Sequence, residues 1–360
     1  MGKFPVSHPM TQPDIRQGAA HDTAVVMACD ARYAPYAFFM AEQIALLHPD
    51  RTFDICVFSQ DNLDLPAALG ATGLRLMKLP PGNPFQSGTH ADRHGAAAYL
   101  RLLIPGAVAG CYRRILYLDS DIMPMSAGID QLLDIDLLGA AIGAVRDNVQ
   151  WRTPRRRVPE NRTLGRPSSP YFNSGMLLID VERYRFERVL ERCLTVLADA
   201  PEAVLRHDQS LLNLVLDGHW TELSPVWNWQ YTWSSRFFAD LVEPRFIHFI
   251  GPNKPWRDTA CTLPPRFRRA YRMFAQRHYP ARTDLAAIDP ARRGWPPKLA
   301  RAYLKHLLSI GAMTDYLNRF DTDFSCRPAT WKPAVGPRRW AAGTFNLPAE
   351  TGVRAARPAG

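Results

Sequence analysis

The stretch ILYLDSDIMP, Ile115 to Pro124, runs a short apolar segment directly into two aspartates one residue apart. Near-continuous apolar character is what a strand buried on both faces of a sheet requires. Residues i and i+2 of an extended chain point the same way, so Asp119 and Asp121 aim their carboxylates at nearly one place. In an open parallel sheet, ligands sit beyond the carboxyl ends of the strands, which is where this pair stands. Two like charges so close repel unless one is protonated or a cation lies between them. Oxygen ligands suit Mg²⁺ or Mn²⁺, ions commonly completed by substrate phosphates. A solvated turn after a strand also carries such pairs, and the motif alone does not separate the two readings.

Outward from this stretch, the chain alternates strands and helices. TAVVMACD (23–30), TFDICVFS (52–59) and LRLMKL (74–79) read as strands before it, and PYAFFMAEQIALLH (35–48) and a segment near 96–104 as helices. After it come the strands GAAIGAV (139–145), GMLLID (175–180) and RFIHFIG (245–251). VERYRFERVLERCLTVLA (181–198) reads as one helix and HDQSLLNLVL (207–216) as a short one. This pattern predicts an α/β fold with a mostly parallel central sheet covered by helices. Phosphatases of the haloacid-dehalogenase type also end an apolar strand in DxD. They place it on their first strand and need a later acidic pair, neither of which this sequence offers.

With 360 residues, 46% hydrophobic, the chain can bury a large core. Its net charge of +10, from 44 Lys+Arg against 34 Asp+Glu, favours phosphate-bearing partners. Arginine concentrates in 151–166, and a second basic cluster lies in 292–305. Zinc-finger spacing, RNP-like strands and heptad-linked basic regions are missing from the sequence, so nucleic acid is not the expected partner. The six cysteines are scattered without a CxxC pair and read as free, buried thiols. No apolar run reaches the ~20 residues of a membrane span, and the N-terminus lacks a signal-peptide core. The expectation is a soluble, cytoplasmic protein, in which the sequon at Asn161 goes unused.

Six blocks occur in order: ACDARYAPY, AYLRLLIPG, ILYLDSDIMP, YFNSGMLLID, HDQSLLN and HFIGPNKPW. Together, over about residues 24 to 260, they resemble glycosyltransferase family 8, the group of the bacterial lipopolysaccharide galactosyl- and glucosyltransferases and of glycogenin. The resemblance implies the GT-A fold, one nucleotide-binding α/β domain with a DxD metal site. It also implies a retaining, Mn²⁺-dependent transfer of galactose or glucose from a UDP-hexose to a glycan or lipid-linked glycan. The implied division is an N-terminal tail (1–22), the GT-A domain (23–289), a basic amphipathic helical extension (290–325) and a Pro-rich tail (326–360).

The resemblance also assigns residues. Ala28, Asp30 and Tyr33 lie at the nucleotide, Asp30 and Tyr33 holding the uracil, although Ala31 and Arg32 replace acidic or amide residues common in the family. Arg101 contacts the donor. Asp119, Asp121 and His248 ligate the metal, with the Ser120 backbone by the ribose. Gly251 lets the chain approach the diphosphate, which Lys254 neutralises. Asn173 and Ser174 meet the donor sugar, Asp147 lies near it, and Asp208 and Gln209 lie beneath the anomeric carbon. Read without the resemblance, Arg101 would be a helix-surface residue, His248 a strand histidine and Asp208 a helix cap.

Acceptor contacts are expected from residues 82–95 and from the arginine-rich 151–166, which reads equally as a solvated charged loop. Leu299, Tyr303, Leu307 and Ile310 fall at helical spacing with Lys298, Arg301 and Lys305 on another face. Such a helix either packs on the domain or lies on an anionic membrane, a peripheral contact expected of 292–310. The rival functions are a family member with a non-lipid acceptor and a catalytically silent carbohydrate- or membrane-binding protein.

Overall fold

The computed structural model describes residues 18–82, 84–85, 98–258, 262–286 and 297–329. Most of the proposed acceptor segment 82–95, Cys261, and the terminal stretches 1–17 and 330–360 lie outside them, as does 292–296 of the basic cluster. The strands are β1 (Thr23–Ala28), β2 (Asp54–Ser59), β3 (Leu74–Lys78), β4 (Arg114–Leu118), β5 (Ile122–Pro124), β6 (Ile142–Arg146), β7 (Phe172–Asp180), β8 (Thr221–Leu223), β9 (Trp229–Gln230), β10 (Phe246–His248) and β11 (Cys326–Pro328). The main helices are α1 (Ala34–Leu47), α2 (Leu100–Ala107), α3 (Val181–Phe186), α4 (Val189–Asp199), α5 (His207–Leu216), α6 (Arg236–Val242), α7 (Pro265–His278) and α8 (Pro297–Leu317).

Eight strands form the central sheet in the order β11-β8-β6-β7-β4-β1-β2-β3, and β5-β10-β9 form a small second sheet. Successive side chains of each central strand enter opposite cores. Val25, Met27, Leu116 and Leu118 pack with α1 on one face, and Ala24, Val26, Ile115 and Tyr117 pack with α2, α4 and α5 on the other. Both faces are therefore apolar, which is why these strands show no polar alternation. Cys29, Cys56 and Cys193 are buried free thiols, as expected, whereas Cys111 and Cys326 are only half-buried.

The sheet is more mixed than the sequence pattern suggests. β1 pairs in parallel with β2 and β4, but β7 runs antiparallel to both β4 and β6. Leu118 therefore pairs with Met176, and the first residues of β7 lie beside the end of β4. The helix expected over 181–198 breaks after Phe186, where Arg188 adopts φ 54°, a conformation that ends regular helix. The first residues of the Pro-rich tail return to the central sheet as β11, antiparallel to β8.

In α8 the expected apolar stripe is not the packing face. Ala302, Ser309, Met313 and Tyr316 are buried, whereas Tyr303, Leu304, Leu307, Leu308 and Ile310 are exposed. Among the described residues no helix is long and apolar enough to cross a membrane.

Candidate active site

Strand register assembles the centre. Asp119 N donates to Gly175 O at 2.8 Å, fixing the first aspartate against the start of β7. Asp121 immediately precedes β5, and β5 residue Ile122 pairs with His248 of β10. Ligand atoms of Asp119, Asp121 and His248 consequently lie within 4.8 Å of one another. Gly175 makes the approach sterically feasible. A Cβ there would collide with His248 Cε1 and stand 2.9 Å from Asp119 Oδ2.

A chain of amides sets the His248 tautomer. Gly175 N donates to Asn173 Oδ1 at 3.1 Å, which leaves Asn173 Nδ2 to donate to Gln209 Oε1 at 3.2 Å. Asn228 Nδ2 also donates to Asn173 Oδ1, at 2.9 Å, so Asn228 Oδ1 faces His248 Nδ1 at 2.9 Å. An amide oxygen can only accept. Nδ1 therefore carries a proton, which leaves Nε2, 3.1 Å from Asp121 Oδ1, as the ring nitrogen placed to ligate a cation.

Burial works against the Asp121 charge, but the His248 ring and the Lys254 ammonium hold its carboxyl well below the usual range. Lys254 Nζ contacts Asp121 Oδ2 and donates to Phe249 O at 2.6 Å. A ring nitrogen and two carboxylates converging on one point form a donor set that fits a divalent cation.

Arg101 is a core residue rather than a surface one, 7% exposed. It meets Asp119 Oδ1 at 2.9 Å, donates to Ser174 O at 2.6 Å, and lies over the Tyr117 ring at 4.7 Å. Burial opposes its charge, yet Asp119 and Asp208 keep its pKa above the ordinary value. Its Nε–H donates to Ala98 O, so the 3.0 Å approach to Asp208 Oδ2 is an ion pair that leaves this oxygen without a donor. Burial pushes the Asp208 carboxyl up against the pull of Arg101. The capping role does not hold: Arg206 is the N-cap of α5, and Asp208 lies one residue inside, turned toward Arg101.

Gln209 accepts from Asn173 Nδ2 and Ser174 N, both at 3.2 Å, and donates to Asp147 Oδ2 at 3.1 Å. Burial also raises the Asp147 carboxyl, whose Oδ1 accepts from Val149 N at 3.0 Å. The structure thus joins Asp119, Asp121, His248, Lys254, Arg101, Asp208, Ser174, Asn173, Gln209 and Asp147 in one network. Ser120 is buried between the two aspartates.

Ala28, Asp30 and Tyr33 lie apart from this network at the end of β1, which runs parallel beside β4 and opens on the same sheet edge. Asp30 Oδ1 accepts from Tyr33 N at 3.0 Å and Oδ2 from Arg32 Nη2 at 2.9 Å. Gly251 adopts φ 80°, a left-handed turn between His248 and Lys254. Sequence reasoning missed Asn228 and Tyr117, whose hydroxyl donates to Asp119 Oδ1 at 2.9 Å. The signal for Asn228 was an amide between two tryptophans in PVWNWQ, since a buried amide needs a partner.

The model of glycosyl transferase family 8 matches residues 24–260. The chain belongs to that family. It is 28% identical to general stress protein A of Bacillus subtilis over 189 residues, 48% of this chain and 64% of that protein. It is 31% identical to lipopolysaccharide 1,3-galactosyltransferase of Salmonella typhimurium over 172 residues, 44% of this chain and 49% of that one. The matches thus span about half to two-thirds of these relatives. The crystal structure of the galactosyltransferase LgtC with donor and acceptor sugar analogues superposes with a TM-score of 0.56. It covers 69% of this chain and 94% of that one at 24% identity, a likeness of GT-A fold.

Proposed function

We propose that this protein is a retaining hexosyltransferase that moves galactose or glucose from a UDP-sugar to a glycan or lipid-linked glycan, using Mn²⁺. The observation that carries this reading is the convergence of Asp119, Asp121 and a tautomer-fixed His248, with Lys254 beside them. Bound there, the ion supplies Lewis-acid stabilisation of the charge that builds on departing UDP.

The chain's own groups do the rest. Asp30 and Tyr33 hold the uracil, and Ala28 and Ser120 flank the nucleoside. Lys254, carried on the turn at Gly251, moves its charge onto the diphosphate. Asn173, Ser174 and the Asp208 carboxyl orient the hexose hydroxyls, and Arg101 fixes Asp119 and Asp208 for these tasks. Gln209 lies beneath the anomeric carbon. Its Oε1 already accepts two hydrogen bonds and it is a neutral amide, so it is a poor nucleophile. Asp147 is likewise occupied by Gln209 and Val149. A front-face reaction, in which a leaving-phosphate oxygen helps take the acceptor proton and Gln209 stabilises the oxocarbenium-like state, needs only what these residues provide.

The exposed apolar face of α8, with Arg301 and Lys305 exposed among its leucines, favours peripheral contact with an anionic membrane, where a lipid-linked acceptor would be met. The intact charged centre favours an enzyme over a silent binding protein. The test is UDP release from a panel of UDP-hexoses, with Mn²⁺ or chelator and no acceptor. The expected result is slow, Mn²⁺-dependent hydrolysis of one sugar, lost in Asp121→Ala. Release that ignores the chelator or survives the substitution overturns the reading.

A further inference from the structure

The arginine-rich loop between β6 and β7 is a built surface. Trp151, Val158, Glu160 and Asn161 are buried beneath it. Trp151 Nε1 donates to Arg146 O at 2.7 Å, Gln150 Nε2 to Arg156 O at 3.0 Å, Ser168 Oγ to Arg155 O at 3.0 Å, and Asn161 Nδ2 to Ser169 Oγ at 2.9 Å. The backbone is thereby pinned while Arg155, Arg156, Arg157, Arg162 and Arg166 stay exposed.

Nothing in the loop neutralises them. Its two carboxylates are both buried and occupied: Asp147 accepts from Gln209 and Val149 at 3.1 and 3.0 Å, and Glu160 from the Tyr171 and Ser210 hydroxyls at 2.8 and 2.9 Å. Among the described residues, none of Arg152, Arg155, Arg156, Arg157, Arg162 and Arg166 reaches a carboxylate. Arg152 is half-buried, and burial alone lowers its pKa, with no carboxylate offsetting it. A cation partly withdrawn from water without a counter-charge is costly, and an arriving anion relieves that cost.

The surface also borders the chemistry. The loop leaves β6 through Asp147, which Gln209 contacts, and returns through Tyr171 into Asn173. Arg206 stands between loop and α5, its guanidinium 5.5 Å from the Tyr171 ring centroid and 3.9 Å from Glu160, with about a third of its side chain (35%) open to solvent. It lies three residues before Gln209.

We propose that this loop and Arg206 bind phosphate groups on the acceptor, so that the acceptor is a phosphorylated saccharide. Forked guanidinium donors match phosphate oxygens in pairs. The proposal rests on the transferase reading and names the acceptor class for that same site.

The test titrates a matched probe pair, maltose and 6-phosphomaltose, into the full-length protein saturated with UDP and Mn²⁺, so that the donor site cannot take the phosphate. At 150 mM salt, roughly tenfold tighter binding of the phosphorylated probe is expected. That preference should fall to about onefold in the triple variant Arg155→Gln/Arg156→Gln/Arg157→Gln, and shrink severalfold in Arg206→Gln. Equal binding of the two probes, or a preference the triple variant retains, overturns the proposal. Loss in the triple variant of binding to phosphatidylglycerol vesicles, without any probe preference, assigns the surface to lipid headgroups and also overturns it. So does displacement of 6-phosphomaltose by a short oligonucleotide at far lower concentration. If the wild type shows the probe preference but hydrolyses no UDP-hexose, the transferase reading fails while the phosphate site stands.

Discussion

Gly175 and Asn228 make the proposed metal centre depend on two residues that bear no charge. Gly175→Ala places a methyl group against His248 and Asp119, so Mn²⁺ affinity should fall at least a hundredfold while the circular dichroism spectrum stays native. Asn228→Leu removes the acceptor that holds the proton on His248 Nδ1. Loss of such a support costs roughly ten- to a hundredfold in metal affinity. Calorimetric titration with Mn²⁺ checks both, and wild-type affinity in Asn228→Leu would show that the tautomer is not set by this amide. The acidic pair was legible in the sequence as a motif at a strand end, but the extended i and i+2 geometry expected of it does not hold: Ser120 and Asp121 form a turn, closed by Ile122 N donating to Asp119 O at 3.1 Å, that brings the carboxylates together. The role of Asn228 was not, because it follows from the amide chain through Asn173 and Gly175, and only tertiary pairing fixes which way each amide faces.

Among the elements, β7 decides the site. Each strand up to β4 could be read from its apolar run, but strand direction is invisible to composition. Antiparallel β7 brings Asn173, Ser174 and Gly175 to the end of β4, which a parallel strand starting at residue 175 would not do. The break before Arg188 escaped notice because 181–198 keeps helical composition throughout. The chain just beyond α8 reaches the sheet through charge: Glu222 of β8, fully buried, receives Arg146 of β6 at 2.6 Å and Arg319 at 2.6 Å. Glu222→Gln strands two guanidinium groups, so denaturant unfolding should show a loss of about 3–5 kcal/mol. A loss under about 1 kcal/mol would mean that water or another carboxylate replaces it.

For the molecule as a whole, one sheet edge gathers the ends of β1 and β4, the proposed metal ligands and the start of β7. The arginine-rich loop borders it, and α8 offers apolar and basic side chains outward. If that helix meets a bilayer, the double substitution Leu304→Glu/Leu308→Glu should weaken co-sedimentation with phosphatidylglycerol vesicles at least tenfold without lowering the melting temperature. Unchanged co-sedimentation would remove α8 as the contact. The amphipathic spacing of this helix was plain in the sequence. Which face it buries was not, because Ala302, Ser309 and Met313 pack on the domain and leave the larger apolar residues outside.

The measurement that bears most directly on the account is calorimetric titration of UDP into the wild-type protein and Asp121→Ala, each with Mn²⁺ and with chelator. UDP should bind the wild type only when Mn²⁺ is present, and bind Asp121→Ala at least a hundredfold more weakly. Equal UDP affinity with chelator, or wild-type affinity in Asp121→Ala, would contradict a nucleotide site built around a metal held by Asp119, Asp121 and His248.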